Sequence, residues 1–324
     1  MQDKEENISK KEPIKRSIDI IRFPKNGSVV DVNSLLRKYD EDESELHKMR
    51  YRIEQGIQSG NAECVCYYCK QPVKLISFMA GVRIFYFQHV HNSGTCPVKC
   101  KKSRLSEARI RALQFKGAQE SREHRELKES IGNHLCMDKA VLDVRVEGVH
   151  RHYNNRRRWR RPDIFAKFSD KEIVIEIQRS RTFLSTVVGR ENYYRENNIY
   201  LLWVFVSFST ENNGQTFIEK DICYNHLYNI FVFDDEAQRI SRELSELVLA
   251  CYHKKFYLDG WVIRSYWGKD FIGIHDLIYD TSHNVYYYDS EKEKQSLEHS
   301  LSASKNSPSL TMQPGPPASN SSGR

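Results

Sequence analysis

Two β-rich runs, PVKLISFM and VRIFYFQHV, flank Ala80-Gly81, and this pattern predicts a hairpin. Residues 103–137 read as helical. In their second half Leu127, Ile131 and Leu135 recur at four-residue spacing. Glu120, His124 and Lys128 share that spacing, so they stack on one side of the helix. Residues 140–147 alternate as a strand does. Two more strands are expected over 163–168 and 172–178, joined by Ser169-Asp170-Lys171. A helix over about 182–197 follows. The continuous apolar run IYLLWVFV, residues 199–206, is typical of a strand buried on both faces. A strand near 230–233 and a helix near 235–253 extend the order. Upstream, residues 17–60 predict a short strand or two and a polar helix near 42–56 ending at Gly56. The aromatic-rich residues 256–290 are expected to pack on the core. The fold class is α/β.

Composition narrows this picture. The stretch from residue 302 onward is Ser/Pro/Asn/Gly-rich and the first dozen residues are dense in Lys and Glu, so both ends are expected to be disordered. The remainder is long enough for one large or two smaller domains. No run of 18 apolar residues exists, so no membrane insertion is expected. The first residues, MQDKEENISKKEP, lack the apolar segment of a secretory signal. A cytoplasmic location and reduced cysteines follow. Lys and Arg number 50 against 43 Asp and Glu, a formal charge of +7. That excess permits a nucleic-acid partner without requiring one.

The cysteines are unevenly spread. Five of eight (Cys64, Cys66, Cys69, Cys96 and Cys100) fall within 37 positions. In a reducing compartment such clustering points to a metal. Cys66-x2-Cys69 before the hairpin, with His89 and Cys96 after it, has the logic of a zinc ribbon, and four protein ligands make the zinc structural. Cys64 for Cys66, His91 for His89 and Cys100 for Cys96 are open alternatives.

The acidic constellation is Asp163, Glu176 and Gln178. A hairpin turn centred on Asp170-Lys171 sets Asp163 opposite Gln178 and Phe165 opposite Glu176. Alternation then puts Asp163, Glu176 and Gln178 on one face. Glu176 lies within IVIEIQ, where a carboxylate is costly without a cation or strong donor. A divalent metal with oxygen ligands meets that need and suits phosphodiester chemistry. The plainer alternative pairs Asp163 with an arginine of 151–161 and Glu176 with Arg179 or Arg190. Just upstream, residues 150–161 hold six arginines, two histidines, a Tyr and a Trp. Guanidinium groups grip phosphate and interleaved aromatics stack on bases. Arg156, Arg157, Arg158, Trp159, Arg160, Arg161 and, on the following helix, Arg190 are the candidate DNA contacts.

The segments RRPDIFAKF, KEIVIEIQRSRTF and GRENYYRENNIYLLWVF resemble the core of the CoiA-like competence family, within the PD-(D/E)xK nuclease superfamily. The matching residues are Arg161-Pro162-Asp163, Glu176-Ile177-Gln178-Arg179-Ser180, Arg190 with Tyr194, and Trp203. Glu120, Ser121, His124 and Lys128 resemble the family's first core helix, and Cys66, Cys69, Phe87-Gln88-His89 and Cys96 its N-terminal cysteine pattern. The resemblance covers roughly residues 62–206. It implies a restriction-endonuclease-like core, a mixed sheet flanked by helices, with a small N-terminal zinc-ribbon-like module. It implies a Mg²⁺- (or Mn²⁺-) dependent nuclease acting on DNA, in uptake, processing or recombination. Asp163 and Glu176 would hold the metal, with the carbonyl of Ile177 as a third ligand. Glu120 would be the helix carboxylate, with Glu123 as the fallback. Gln178 stands where many superfamily members have Lys, and an uncharged amide stabilises an anion less; Lys128 is the candidate for the missing charge. Ser180 reads as a helix cap. The alternatives are a non-catalytic DNA-binding scaffold, or a nuclease effector in phage defence or a mobile element. The expected divisions are 1–16 disordered, 17–61 a segment of unknown role, 62–102 the zinc-ribbon-like module, 103–255 the nuclease-like domain, 256–295 an aromatic extension and 296–324 a disordered tail.

Overall fold

The computed structural model describes residues 18–39, 43–80, 82–91, 96, 122–155, 157–179, 182–211 and 214–306. The N-terminal part contains β1 (Ile20–Arg22), β2 (Val29–Asp31), α1 (Val32–Arg37), α2 (Glu43–Gln58), β3 (Val65–Cys66) and the hairpin β4 (Val73–Ala80) and β5 (Val82–His89). Strand β1 lies between β2 and β3, with Ile21 opposite Cys66. Residues 17–61 are therefore not a separate segment: they complete the sheet that carries the first metal-ligand candidate. Ile18, Ile21, Leu46, Met49, Ile53, Val73, Leu75, Phe85 and Phe87 form one core with Cys64, Cys66 and Cys96. Helix α2 runs through Gly56 rather than ending there.

The second part begins with α3 (Arg122–Met137) and β6 (Val141–Val146). The short pair β7 (His150–Arg151) and β8 (Trp159–Arg160) follows, then the hairpin β9 (Ile164–Phe168) and β10 (Lys171–Gln178). After these come α4 (Leu184–Glu196), β11 (Tyr200–Phe205), α5 (Phe217–Asn225), β12 (Asn229–Val232) and α6 (Asp235–Leu244). The long strands β13 (Val248–Asp259) and β14 (Val262–Gly273) close the order, before the terminal α7 (Ser290–Asn306). One seven-stranded sheet has the order β14-β13-β12-β11-β10-β9-β6. Strands β10, β11 and β12 run parallel, and the other pairings are antiparallel. This is a mixed sheet, flanked by helices.

Strand composition explains the layering. In β11, Leu201, Trp203 and Phe205 join one core, while Leu202 and Val204 join the other. In β10, Val174 faces the first core and Ile173, Ile175 and Ile177 the second. Strands apolar on both sides need cover on both sides. Helix α3 supplies it through Ile131 and Leu135; α4 and α5 supply it on the opposite face, with Tyr51 of α2. At Gly132 a Cβ would lie 2.8 Å from Val146, so glycine is what lets α3 sit so close to β6. Helix α2 also locks the N-terminal part to α5. His47 Nδ1 lies 2.6 Å from Asp221 Oδ1, Arg50 pairs with the same carboxylate, and Lys220 reaches Glu43 at 2.6 Å.

Several expectations need correction. The helix near 235–253 ends at Leu244, where Ser245 turns left-handed and the chain enters β13. Residues 256–290 are no appended extension, because the boundary at 255 cuts through β13, and β14 is the sheet's edge. Helix α7 runs to Asn306, into the stretch expected to be disordered; residues 1–16 lie outside the described set. Hairpin β9–β10 turns on Ser169-Asp170, with Ser169 at φ +56° and Lys171 already paired to Phe168. The register is thus shifted by two residues: Ile164 faces Ile175, which brings Asp163 beside Glu176 rather than Gln178.

Candidate functional site

The Cys/His cluster is built by a knuckle and a hairpin end. After β3 the Cys66 amide donates to Gln71 O and the Lys70 amide to Cys66 O, with Lys70 at φ +60°. This tight turn brings Cys69 back beside Cys66. Strand β5 ends at His89 and delivers its ring, while Cys96 arrives from beyond. The four ligand atoms of Cys66, Cys69, His89 and Cys96 lie within 4.8 Å of one another. Cys66 Sγ and Cys96 Sγ are 3.8 Å apart, and Cys69 Sγ lies 3.2 Å from His89 Nε2. The edges of a tetrahedron around zinc, with bonds of about 2.0–2.3 Å, measure roughly 3.5–3.8 Å. The cluster can therefore hold a metal such as zinc. Cys64 is not part of it: its thiol donates to Val73 O at 3.6 Å, and burial pushes it up to about 12. His91 is also outside the cluster, and Cys100 lies outside the described residues.

The acidic residues gather where β9 begins and β10 ends. Asp163 Oδ2 accepts from the Ile177 amide at 2.8 Å. Asp163 Oδ1 is 3.3 Å from His124 Nε2 and 3.9 Å from Lys128 Nζ. Burial alone would raise Asp163, but the bonds from His124 and Ile177 and the charge of Lys128 hold it below the ordinary carboxylate value. Glu176 is 2 % exposed. Its Oε1 accepts from Tyr194 Oη at 2.9 Å, and its Oε2 pairs with Arg190. Burial pushes Glu176 up to about 7 against the pull of Arg190 and Tyr194. The two carboxylates thus take partners from opposite sides: Asp163 from α3, Glu176 from α4. The charge of Asp163 also acts on Glu176 and helps to raise it, so the two carboxylates are neighbours. Among the described residues, no third His, Cys, Asp or Glu closes with this pair into a common metal cluster. Ile177 contributes its amide to Asp163. Gln178 is the last residue of β10. Glu120, Arg156 and Ser180 lie outside the described residues, as does all of 103–121. The N-cap position of α4 is Phe183. Glu123, the alternative to Glu120, pairs with Arg179.

Sequence reasoning missed Glu147. It takes the Lys128 ammonium and the Arg161 guanidinium, and its amide donates to Asp163 O at 2.9 Å. Its φ of +54° lets β6 leave the sheet there. The signal available was a carboxylate ending an alternating strand just before the arginine-rich stretch. Tyr194 is fully buried and is a hydrogen-bond donor to Glu176.

The arginine-rich stretch is a small hairpin docked on α4. His150 pairs with Arg160 and Arg151 with Trp159 in β7 and β8. Tyr193 Oη donates to His150 O at 3.0 Å, and Glu196 takes both His152 (3.2 Å) and Arg158 (2.8 Å). Arg157, Arg160 and Arg161 are exposed, with Trp159 at 53 % and Tyr153 at 69 %.

The model for a domain of unknown function, DUF6035, matches residues 108–291. The chain belongs to the DUF6035 family. A second domain of unknown function, DUF7830, matches residues 27–103. No curated protein matches the chain. The DUF6035 match spans the seven-stranded sheet with Asp163, Glu176 and the arginine hairpin. The DUF7830 match spans most of the part that carries Cys66, Cys69, His89 and Cys96. Among the described residues, no helix is long and apolar enough to cross a membrane.

Proposed function

We propose that this DUF6035 protein is a metal-dependent nuclease that hydrolyses DNA phosphodiester bonds, as its resemblance to the CoiA-like family implies. One observation carries the reading. At the carboxyl end of parallel strand β10 a strongly ionised aspartate adjoins a buried glutamate, and a basic, aromatic hairpin leads straight into them. Ligand sites in such sheets lie beyond the carboxyl ends of parallel strands. The donor set fits Mg²⁺ or Mn²⁺, which favour carboxylate oxygen. Bound there, the ion would activate water and stabilise the charge of the attacked phosphate.

The protein's own groups have separate tasks. Asp163 is kept ionised by His124 and the Ile177 amide, ready to serve as an oxygen ligand. Glu176 would serve as the second oxygen ligand, with Arg190 free to turn from it to a substrate phosphate. Lys128, 2 % exposed and 3.9 Å from Asp163, places a fixed positive charge at the site, the charge that Gln178 lacks. Arg157, Arg160 and Arg161 hold the strand, and Trp159 offers a stacking face. The Cys/His cluster holds structural zinc.

The test is cleavage of linear, circular, single-stranded and branched DNA with Mg²⁺ or Mn²⁺. Wild type is compared with Asp163→Asn and Glu176→Gln at equal zinc content and melting temperature. Loss of at least 10³-fold in both variants is expected. Wild type that binds every DNA in a salt-sensitive way yet cleaves none would overturn the reading in favour of a DNA-binding scaffold.

A further inference from the structure

A second group of ligand-type side chains lies far from both regions. Asp138 follows the last turn of α3, Glu246 sits in the turn between α6 and β13, and His275 lies just past β14. Three elements remote in sequence bring one carboxylate, a second carboxylate and an imidazole to within 4.8 Å of one another. His275 Nε2 is 2.6 Å from Asp138 Oδ2. The other Asp138 oxygen accepts the Ala140 amide at 2.9 Å, so that carboxylate is fixed. The Phe168 ring meets His275 edge-on with centroids 4.9 Å apart, which fixes the imidazole. The Asp138 side chain is only 8 % exposed.

The charge balance points to a cation. Two carboxylates this close repel, and each normally draws a Lys or Arg. Among the described residues neither Asp138 nor Glu246 has one; His275 is the sole ion-pair partner of Asp138, and Glu246 makes no ion pair at all. We propose that Asp138, Glu246 and His275 form a second metal site, which takes one first-row divalent cation. The mixed oxygen and nitrogen donors select that class over Mg²⁺ and Ca²⁺, which prefer oxygen alone. The ring binds through Nε2 with its proton on Nδ1. The Asp138–His275 pair opens slightly, since two donors on one ion sit about 3 Å apart. Three protein ligands leave positions for water. The ion would tie the C-terminal end of α3 to the edge of the sheet, while the N-terminal half of the same helix carries His124 and Lys128.

The test uses the full chain with zinc already in the Cys/His cluster, without DNA, at pH 7.5. Mn²⁺ is the probe, because it competes poorly for thiolates. Bound ion is counted from the loss of the free Mn²⁺ resonance. The Asp163→Asn variant removes any contribution of the proposed nuclease site, so the two proposals fail separately. One Mn²⁺ per chain is expected to persist in Asp163→Asn. Its affinity should fall at least tenfold on adding Asp138→Asn with Glu246→Gln. Directly bound imidazole nitrogen should show in the pulsed resonance spectrum and vanish in His275→Ala. These side chains are near the surface, and unchanged melting without metal checks the fold. No Mn²⁺ bound by Asp163→Asn at millimolar concentration, or equal binding after the carboxylates are removed, overturns the proposal.

Discussion

The Cys/His cluster and the acidic strand end both carry side chains of types that can ligate metals, but they are prepared in opposite ways. Cys66, Cys69, His89 and Cys96 converge on one another, with spacings close to those of a tetrahedral ion. Asp163 and Glu176 each meet basic side chains of the protein instead: the His124 ring and the Lys128 ammonium for one, the Arg190 guanidinium for the other. A set whose members face each other gains most of its cohesion from the ion. A set already neutralised by side chains stands without one, and admits an ion only by exchanging partners. The first arrangement suits a permanent structural metal. Under the proposed nuclease function, the second would take its metal together with an anionic substrate, which would accept Arg190 in return.

The largest effect that would sharpen this contrast comes from Cys69→Ser. Structural zinc contributes apparent binding free energies of roughly 10 kcal/mol or more, all of it folding free energy. Removing one thiolate should abolish stoichiometric zinc and strip hydrogen-exchange protection from the strands of residues 18–96. Exchange in β10 to β12 should change much less, because their cores form without the cluster. Equal protection across β1 to β5 in a zinc-free variant would show that the buried apolar core alone holds this part together.

A smaller effect tests the acidic end. Glu176 stands at about 7 where a free glutamate stands near 4.5. Without metal, the folded chain therefore binds a proton that the unfolded chain has released between those values. The stability this group contributes is complete below about pH 4.5 and is lost as pH rises through about 7. Relative to Glu176→Gln, wild type should lose on the order of 3 kcal/mol across that window. Denaturant melts at pH 5 and pH 8 give the difference of differences. A value near zero would mean that Arg190 keeps Glu176 charged even at pH 5. The acidic end would then be a plain ion pair.

How much of this was legible beforehand depends on which forces decide each feature. The strands β9 to β11 follow from apolar alternation and from the run IYLLWVFV, and the knuckle follows from Cys66-x2-Cys69. The register of β9–β10 did not follow, since Ser169 rather than Lys171 occupies the turn, and turn geometry is set by one left-handed residue. The pattern did place Asp163 and Glu176 near each other. It could not show that the Ile177 amide donates to Asp163, because backbone donors carry no sequence signature. The α6–β13 boundary was lost for a similar reason: Ser245 is an unremarkable residue, yet its left-handed conformation ends the helix. Glu147 was invisible because its partners, Lys128 and Arg161, are brought together only by the packing of α3 against β6.

The smallest expected effect concerns the arginine hairpin and separates two kinds of arginine within it. Arg158 is committed to the protein: it pairs with Glu196 at 2.8 Å and lies over the Tyr193 ring. Arg157 is exposed and joins no ion pair among the described residues. If the hairpin clamps phosphates, Arg157→Ala should leave the melting temperature unchanged. It should also lower the slope of log affinity for single-stranded DNA against log salt by about 0.7, the value of one released counterion. Arg158→Ala should weaken binding less through charge and more through loosening the hairpin, visible as faster exchange at the His152 amide, which donates to Arg158 O at 3.0 Å. An unchanged salt slope in Arg157→Ala would mean that this guanidinium faces solvent only. The DNA path would then run along Arg160, Arg161 and Trp159, closer to Asp163.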